Sequence, residues 1–253
     1  MAEECIHGLD VPLCDACYPK AKPEVAAVAV KTRVPRVASG MPRRTSALAA
    51  HDDVSQQRIY HVTHIRNLPA ILESGALIAD ATPVVDISSD GARETRRTIA
   101  VSDEGEPVAS YVPFFFSPES DVWDAIRFGA TDPRLSLEPG LVPSDFVLLV
   151  SSYSTIAGAN VVIADGDAAH PLTRFETTTD AADRSLRKLR ADGELGRIRS
   201  AELLVRDTVP FDLITLITVA NDRTKAAVRE LVDPAGFRTR IAIHPPWFAR
   251  TVG

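Results

Sequence analysis

Two sets of residues in this 253-residue chain have the types and spacing to do chemistry. The first is Cys5-Ile-His7 followed by Cys14-Asp-Ala-Cys17, which gathers all three cysteines of the chain into its first 17 residues. Three thiolates and one imidazole form a closed tetrahedral set for a structural Zn²⁺. Cys14-x-x-Cys17 has the usual knuckle spacing; Cys5-x-His7 is tighter, and Gly8 can relieve the backbone beside it. An odd cysteine count argues against a disulfide framework, and the alternatives to zinc are a redox-active Cys-x-x-Cys or a disordered tail with chance cysteines.

The second set is dispersed. His61-Val-Thr63 places two polar side chains on one face of an extended segment, Arg93, Arg96 and Arg97 form a cluster, and Glu202 sits in the apolar frame Ala-Glu-Leu-Leu-Val. A carboxylate in such a frame is costly to bury unless it has a partner or a task. Singly, these residues read equally well as a core histidine, a surface ion pair and a charge at a strand end. Together they suggest a dinucleotide site without a Rossmann fold. The chain has no G-x-x-x-x-G-K-[ST] loop, no G-x-G-x-x-G after a strand and no G-x-S-x-G elbow. His51-Asp52-Asp53 resembles a fragment of a metal phosphohydrolase site but lacks distant partner histidines, so it reads as linker.

The elements that must position these residues follow from periodicity. Arg58 to His64 alternates and favours β-branched residues, which predicts a strand. Asn67 to Gly75 predicts a short helix with Asn67 as N-cap, Pro69 in the first turn and Gly75 as the stop. Tyr111 to Phe116, Asp145 to Ser151, Ala201 to Arg206, Phe211 to Val219 and Arg238 to His244 predict further strands. Ala181 to Ala191 and Asp222 to Val232 predict helices, the second with Asn221 as a cap. The sum is an α+β domain richer in strand than in helix.

Charge divides the chain in the same way. The net charge of −6 separates into −4 over residues 1–17, +6 over 18–50 and −8 over the remainder. We therefore expect a zinc element at 1–17, a basic Pro- and Ala-rich linker at 18–54 and a catalytic domain at 55–253. The basic stretch keeps nucleic acid open as a partner despite the acidic total. No apolar run approaches the roughly 20 residues that span a bilayer. The opening MAEECIHGLD lacks the order of a signal peptide, so a cytoplasmic protein without a membrane partner is expected.

Six segments occur in a telling order: IYHVTHIRNLPAILESGALIA, ARETRRTIAV, SYVPFFFSP, AIRFGAT, SAELLVRDTVPFDLI and the closing Trp247-Phe248. In this order they resemble the DNA ADP-ribosyltransferase toxins of the DarT type, over about residues 58 to 249. The first segment and A-E-L-L-V-x-x-x-V-P are the most specific. The resemblance implies the ADP-ribosyltransferase fold, a split mixed β-sheet that clamps NAD⁺ in its central cleft. It implies that His61 and Thr63 form the H-x-T of the first strand, the histidine holding the nicotinamide-ribose region. It places Asn67 near the cofactor, Arg96 in the site with Arg97 as the alternative one residue on, and Tyr111 near the nicotinamide. Glu202 matches the catalytic glutamate. Arg174-Phe175 matches a motif of the substrate-facing loop, which also carries His170, and the basic run that continues to Arg199 would line the nucleic acid strand. The implied reaction is transfer of ADP-ribose from NAD⁺ to a base in single-stranded DNA, by a toxin or phage-defence effector that a macrodomain antitoxin opposes.

The chain departs from the family pattern at Ser117 to Trp123, where two acids stand in place of an apolar Met-Leu-Tyr stretch, and at His170, two places from its expected position. Two alternatives stand beside the main reading. One is the same transfer onto RNA. The other is a catalytically dead, zinc-dependent nucleic-acid-binding module.

Overall fold

A computed structural model of the chain describes residues 54–102, 105–156, 160–191 and 195–249. The expected zinc ligands Cys5, His7, Cys14 and Cys17, and nearly all of the 18–54 linker, lie outside the described residues. The described part is α+β. Its strands are β1 (Arg58–His64), β2 (Ala76–Ile78), β3 (Tyr111–Phe115), β4 (Phe146–Ser152), β5 (Val161–Ala164), β6 (Phe175–Glu176), β7 (Glu202–Arg206), β8 (Thr208–Pro210), β9 (Leu216–Val219) and β10 (Arg240–Ile243). Its helices are α1 (Leu68–Ser74), α2 (Asp90–Thr98), α3 (Asp121–Phe128), α4 (Tyr153–Ile156), α5 (Thr179–Ala191), α6 (Leu195–Ser200) and α7 (Asp222–Val232).

Eight strands form one mixed sheet in the order β10-β9-β4-β1-β3-β7-β5-β6, and β2 pairs with β8 in a two-stranded ribbon. All pairings are antiparallel except β9 with β10. Both faces are covered, which is why Glu202-Leu-Leu-Val205 and Phe146 to Ser151 are continuously buried rather than alternating. On one face, Ile59, Val147, Leu149, Phe114 and Leu203 pack under α1, α5 and α7 through Leu68, Leu72, Leu186 and Val228. The opposite face holds two smaller clusters. Tyr60, Phe146, Leu148 and Val150 pack against Trp123, Ile126 and Phe248; Val101, Val108, Tyr111 and Leu204 pack at the other end.

The join between β1 and β3 is unlike the others. Its only register pair is Tyr60↔Phe115. Beyond that pair, His61 to His64 are matched with β4 alone, and Tyr111 to Phe114 with β7 alone. The sheet is thus split at its centre. Pro113 lies at the split. Its carbonyl accepts from the His61 side chain, so the backbone position where another residue would carry an N–H also faces β1. No ladder donor is lost there, because there is no ladder.

Several elements differ from the sequence expectation. Asn67 precedes α1 but makes no capping bond with its side chain, which serves another contact described below. Gly75 does end that helix, in the left-handed conformation at φ 70°. Phe211 to Val219 is not one strand: Phe211–Leu213 forms a 3-10 turn before β9. The arginine cluster lies on α2, whose charged sequence buries no residue and gives no apolar stripe to read. Ser117 to Trp123, the stretch that departs from the family pattern, forms the cap and first turn of α3. Ser120 accepts from the Trp123 amide, Asp121 and Asp124 pair with Arg199 of α6, and Asp124 also pairs with Arg127. The Trp123 ring is fully buried, and its indole N–H donates to the Trp247 carbonyl at 2.7 Å. Asp121, one of the two acids of that stretch, and Asp124 just after it therefore lock α3 to α6, and the tryptophan locks it to the closing segment.

Replacing Trp123 with alanine is expected to destabilise the domain by about 3–5 kcal/mol, read from the urea midpoint, because a large ring leaves a cavity and the Trp247 carbonyl keeps only its hydrogen bond from Arg127.

Candidate active site

The split between β1 and β3 opens into a cavity of about 410 Å³, within the usual range of small-molecule sites (~300–1,000 Å³). Glu202 lies at its floor and is 3% exposed. It is the first residue of β7, paired with Phe115 on one side and Ala164 on the other, so its backbone position is fixed from both neighbours. Its carboxylate is held by two supports. Arg96 of α2 donates to Oε2 through both terminal nitrogens at 3.1 Å, and the Ala168 amide donates to Oε1 at 2.9 Å. Ala168 belongs to the loop between β5 and β6 and is itself fully buried. A carboxylate so held is aimed, with lone pairs left on each oxygen.

Arg97, the alternative to Arg96, points elsewhere and pairs with Asp80 at 3.0 Å with both side chains about half exposed. The third member of the cluster, Arg93, ties α2 to the preceding loop through Asp86 and the Ser88 carbonyl, and pairs with Asp90 within the helix.

His61 and Thr63 both line the cavity. The His61 ring bridges the split, its Nδ1 lying 2.9 Å from the Pro113 carbonyl. A carbonyl only accepts, so Nδ1 carries the hydrogen and Nε2 of the neutral ring is an acceptor. Burial holds the pKa of His61 below its ordinary value, partly offset by this hydrogen bond. His64 is likewise lowered by burial, and its Nδ1 accepts from the Arg66 amide.

Asn67 is buried at the cavity wall, but its amide is committed to the protein. It donates to the Thr63 hydroxyl at 3.1 Å and to the Val85 carbonyl at 3.0 Å, and it accepts from the Val85 amide at 2.8 Å. It pins the loop before α2 against β1. Tyr111 touches the cavity with its ring, while its hydroxyl donates to Glu106 at 2.9 Å. Burial, reinforced by that carboxylate, pushes the Tyr111 hydroxyl up to about 12, so it stays protonated.

His170 and Arg174 are exposed on the β5–β6 loop beside Leu172, which is 82% exposed. Arg199 is not with them. It is spent on Asp121 and Asp124 of α3. Two contributors were not legible in the sequence: the Ala168 amide, because a backbone donor leaves no side-chain signature, and Arg134, which reaches the cavity wall from the loop after α3. Among the described residues no group of three or more His, Cys, Asp or Glu could hold a metal ion. No described helix is long and apolar enough to cross a membrane.

A family model described as ssDNA thymidine ADP-ribosyltransferase, DarT, matches residues 60–249. A DNA ADP-ribosyl transferase of Thermus sp. (strain 2.9) is 31% identical over 204 residues, which cover 75% of this chain and 95% of the relative. Two solved structures of the Thermus sp. 2.9 DarT also match, each at 28% identity. The complex with ADP-ribosylated ssDNA has a TM-score of 0.66 over 76% of this chain and 96% of that one. The complex with NAD⁺ has a TM-score of 0.63 over 76% and 98%.

Because His61 and His64 bind protons less readily in the fold than in the unfolded chain, where the ordinary value is 6.5, the unfolded state gains protons first on acidification. Stability is therefore expected to fall as pH drops from about 7.5 to about 5.5, beginning near the unfolded value. Thermal melts should show a lower Tm at the acidic end, and His61→Asn should flatten the dependence.

Proposed function

From the premise that this chain belongs to the DarT family of ssDNA ADP-ribosyltransferases, we propose how its cleft uses NAD⁺ to modify single-stranded DNA. The protein is an NAD-dependent DNA ADP-ribosyltransferase. The observation that carries the reading is the buried Glu202 carboxylate, held by Arg96 and the Ala168 amide on the floor of a cavity that His61 also lines.

The bond between nicotinamide and ribose C1′ breaks, nicotinamide leaves as the neutral amide, and the sugar acquires oxocarbenium character. Glu202 accepts the ribose 2′-OH and stabilises that positive charge from a fixed position. His61, neutral and with Nε2 as an acceptor, takes a ribose hydroxyl at the opposite wall. A ring atom of the base then forms the new bond to C1′, and the base gives up one proton to solvent or to a basic group at the site. A base in a single strand reaches C1′ without the cost of unstacking a duplex. The family description names thymidine, and thymine is the acceptor we propose.

Asn67 supports the cavity by holding the loop before α2 rather than by touching NAD⁺, and Tyr111 offers its ring edge to the nicotinamide end. His170 and Arg174 meet the DNA strand on the β5–β6 loop. Cys5, His7, Cys14 and Cys17 would hold a structural Zn²⁺ in a separate element at 1–17, joined by a basic linker to a catalytic domain at 55–253. The activity suits a toxin or phage-defence effector in the cytoplasm, paired with a macrodomain antitoxin that removes the modification.

Incubation with labelled NAD⁺ and parallel sets of DNA and RNA oligonucleotides tests the central claim. Label should pass to thymine-containing single-stranded DNA. Glu202→Ala is expected to lower transfer by about a thousandfold and Arg96→Ala by a comparable factor, with Arg97→Ala near wild type. Transfer only to RNA would move the acceptor. Absence of transfer, with salt-dependent binding of nucleic acid, would leave the catalytically dead module.

A further inference from the structure

The two supports of Glu202 come from different parts of the chain. Arg96 stands on α2, and the Ala168 amide stands on the β5–β6 loop. Neither alone sets the distance between them. A short strap from the loop after α3, residues 132–136, touches both. Toward α2, the Ser89 amide donates to the Arg134 carbonyl at 2.8 Å and the Ser89 hydroxyl donates to the Pro133 carbonyl at 2.7 Å. Ser89 is the N-cap of α2, its Oγ accepting from the Ala92 amide. Ser88 forms a bridge with Leu135, and the Ser136 amide donates to the Ile87 carbonyl.

Toward the loop, the Arg134 guanidinium donates to Asp167 at 2.9 Å. Asp167 immediately precedes Ala168, and it is fixed in turn. Its Oδ1 accepts from the Ala169 amide, and its backbone carbonyl accepts from the Thr173 hydroxyl. The remaining face of the guanidinium is gripped by both oxygens of Asp132, which aims the fork at Asp167. These carboxylates hold Arg134 firmly charged, above the ordinary arginine value. The contacts close a ring: Glu202, Arg96, α2, Ser89, Arg134, Asp167, Ala168 and Glu202 again.

We propose that Arg134 is a positioning residue that fixes the span between the two supports of Glu202, so that the arginine helix and the substrate loop move as one frame around the carboxylate. This rests on the assignment of Glu202 to ADP-ribose transfer. Arg134 is about a quarter exposed at its side chain and carries no part of the hydrophobic core, so its loss should disturb the frame and spare the fold.

The test uses the full chain with Arg134→Ala, Asp167→Ala, the double variant and Arg134→Lys. Arg134→Ala is expected to lower kcat for transfer to single-stranded DNA by about ten- to a hundredfold, the scale of a small misplacement of reacting groups, with KM for NAD⁺ changed by less than about threefold. The double variant should be no worse than the poorer single variant, because both break one bridge. Arg134→Lys keeps the charge on Asp167 without the fork on Asp132 and should recover part of the lost kcat. Amide hydrogen exchange, which needs no substrate, should rise at Ala168 and across residues 89–97 in Arg134→Ala while the sheet core is unchanged. Unaltered exchange at Ala168, or losses in the two single variants that simply multiply in the double, would overturn the proposal. A wild-type protein that transfers nothing would instead overturn the reading of function, and the exchange data would still decide the role of Arg134.

Discussion

A buried carboxylate sets the terms for this structure. Glu202 is almost wholly removed from water, and a lone carboxylate in that setting would neutralise or force the chain apart. It stays because a guanidinium and an amide N–H meet its two oxygens. Each of those donors makes a demand on the surrounding fold. Arg96 requires a helix with no buried face to lie close over the cleft, and the Ala168 amide requires a loop tight enough to turn its backbone inward. The ordered loops and ion pairs around the cleft serve those two demands.

The split in the sheet is the complementary constraint. A continuous sheet would have paired β1 with β3 along its whole length and filled the space a ligand needs. Here the ladder stops after Tyr60↔Phe115, and His61 spans the gap with a side-chain hydrogen bond in place of a backbone one. The cleft is therefore bounded by strands on both sides, which are more rigid than loops and hold Glu202 and His61 in fixed relation. The exposed end of the β5–β6 loop lies outside that strand frame, and there His170, Leu172 and Arg174 face solvent.

Much of this was legible in the sequence where side-chain type carries the signal. The strand at Arg58 to His64, the glutamate in its apolar frame and the helix Asp222 to Val232 were all expected from periodicity, and the structure has them. The failures share a cause. α2 was unreadable because its charges pack against other charges rather than against a core. Phe211 to Val219 looked uniform because apolarity does not distinguish a buried 3-10 turn from a strand. Arg199 looked like a nucleic-acid contact because a basic residue near a basic run does not reveal that two aspartates 75 and 78 residues away have claimed it. Asn67 was read as a helix cap by position, whereas its amide matches the backbone of Val85, a partner 18 residues on that no local pattern names. Ala168 contributes only its amide, which every residue except proline also has.

Proline's lack of that amide has a consequence at the other wall of the cleft. Position 113 is the point where one more inter-strand hydrogen bond would begin to zip β3 onto β1, and proline alone among the residues cannot supply it. The opening is thus guarded by a missing atom rather than by a bulky one. Repulsion or steric bulk would hold the strands apart only while nothing pressed them together. A seam that lacks one of its donors gains less from closing, whether the cavity is full or empty.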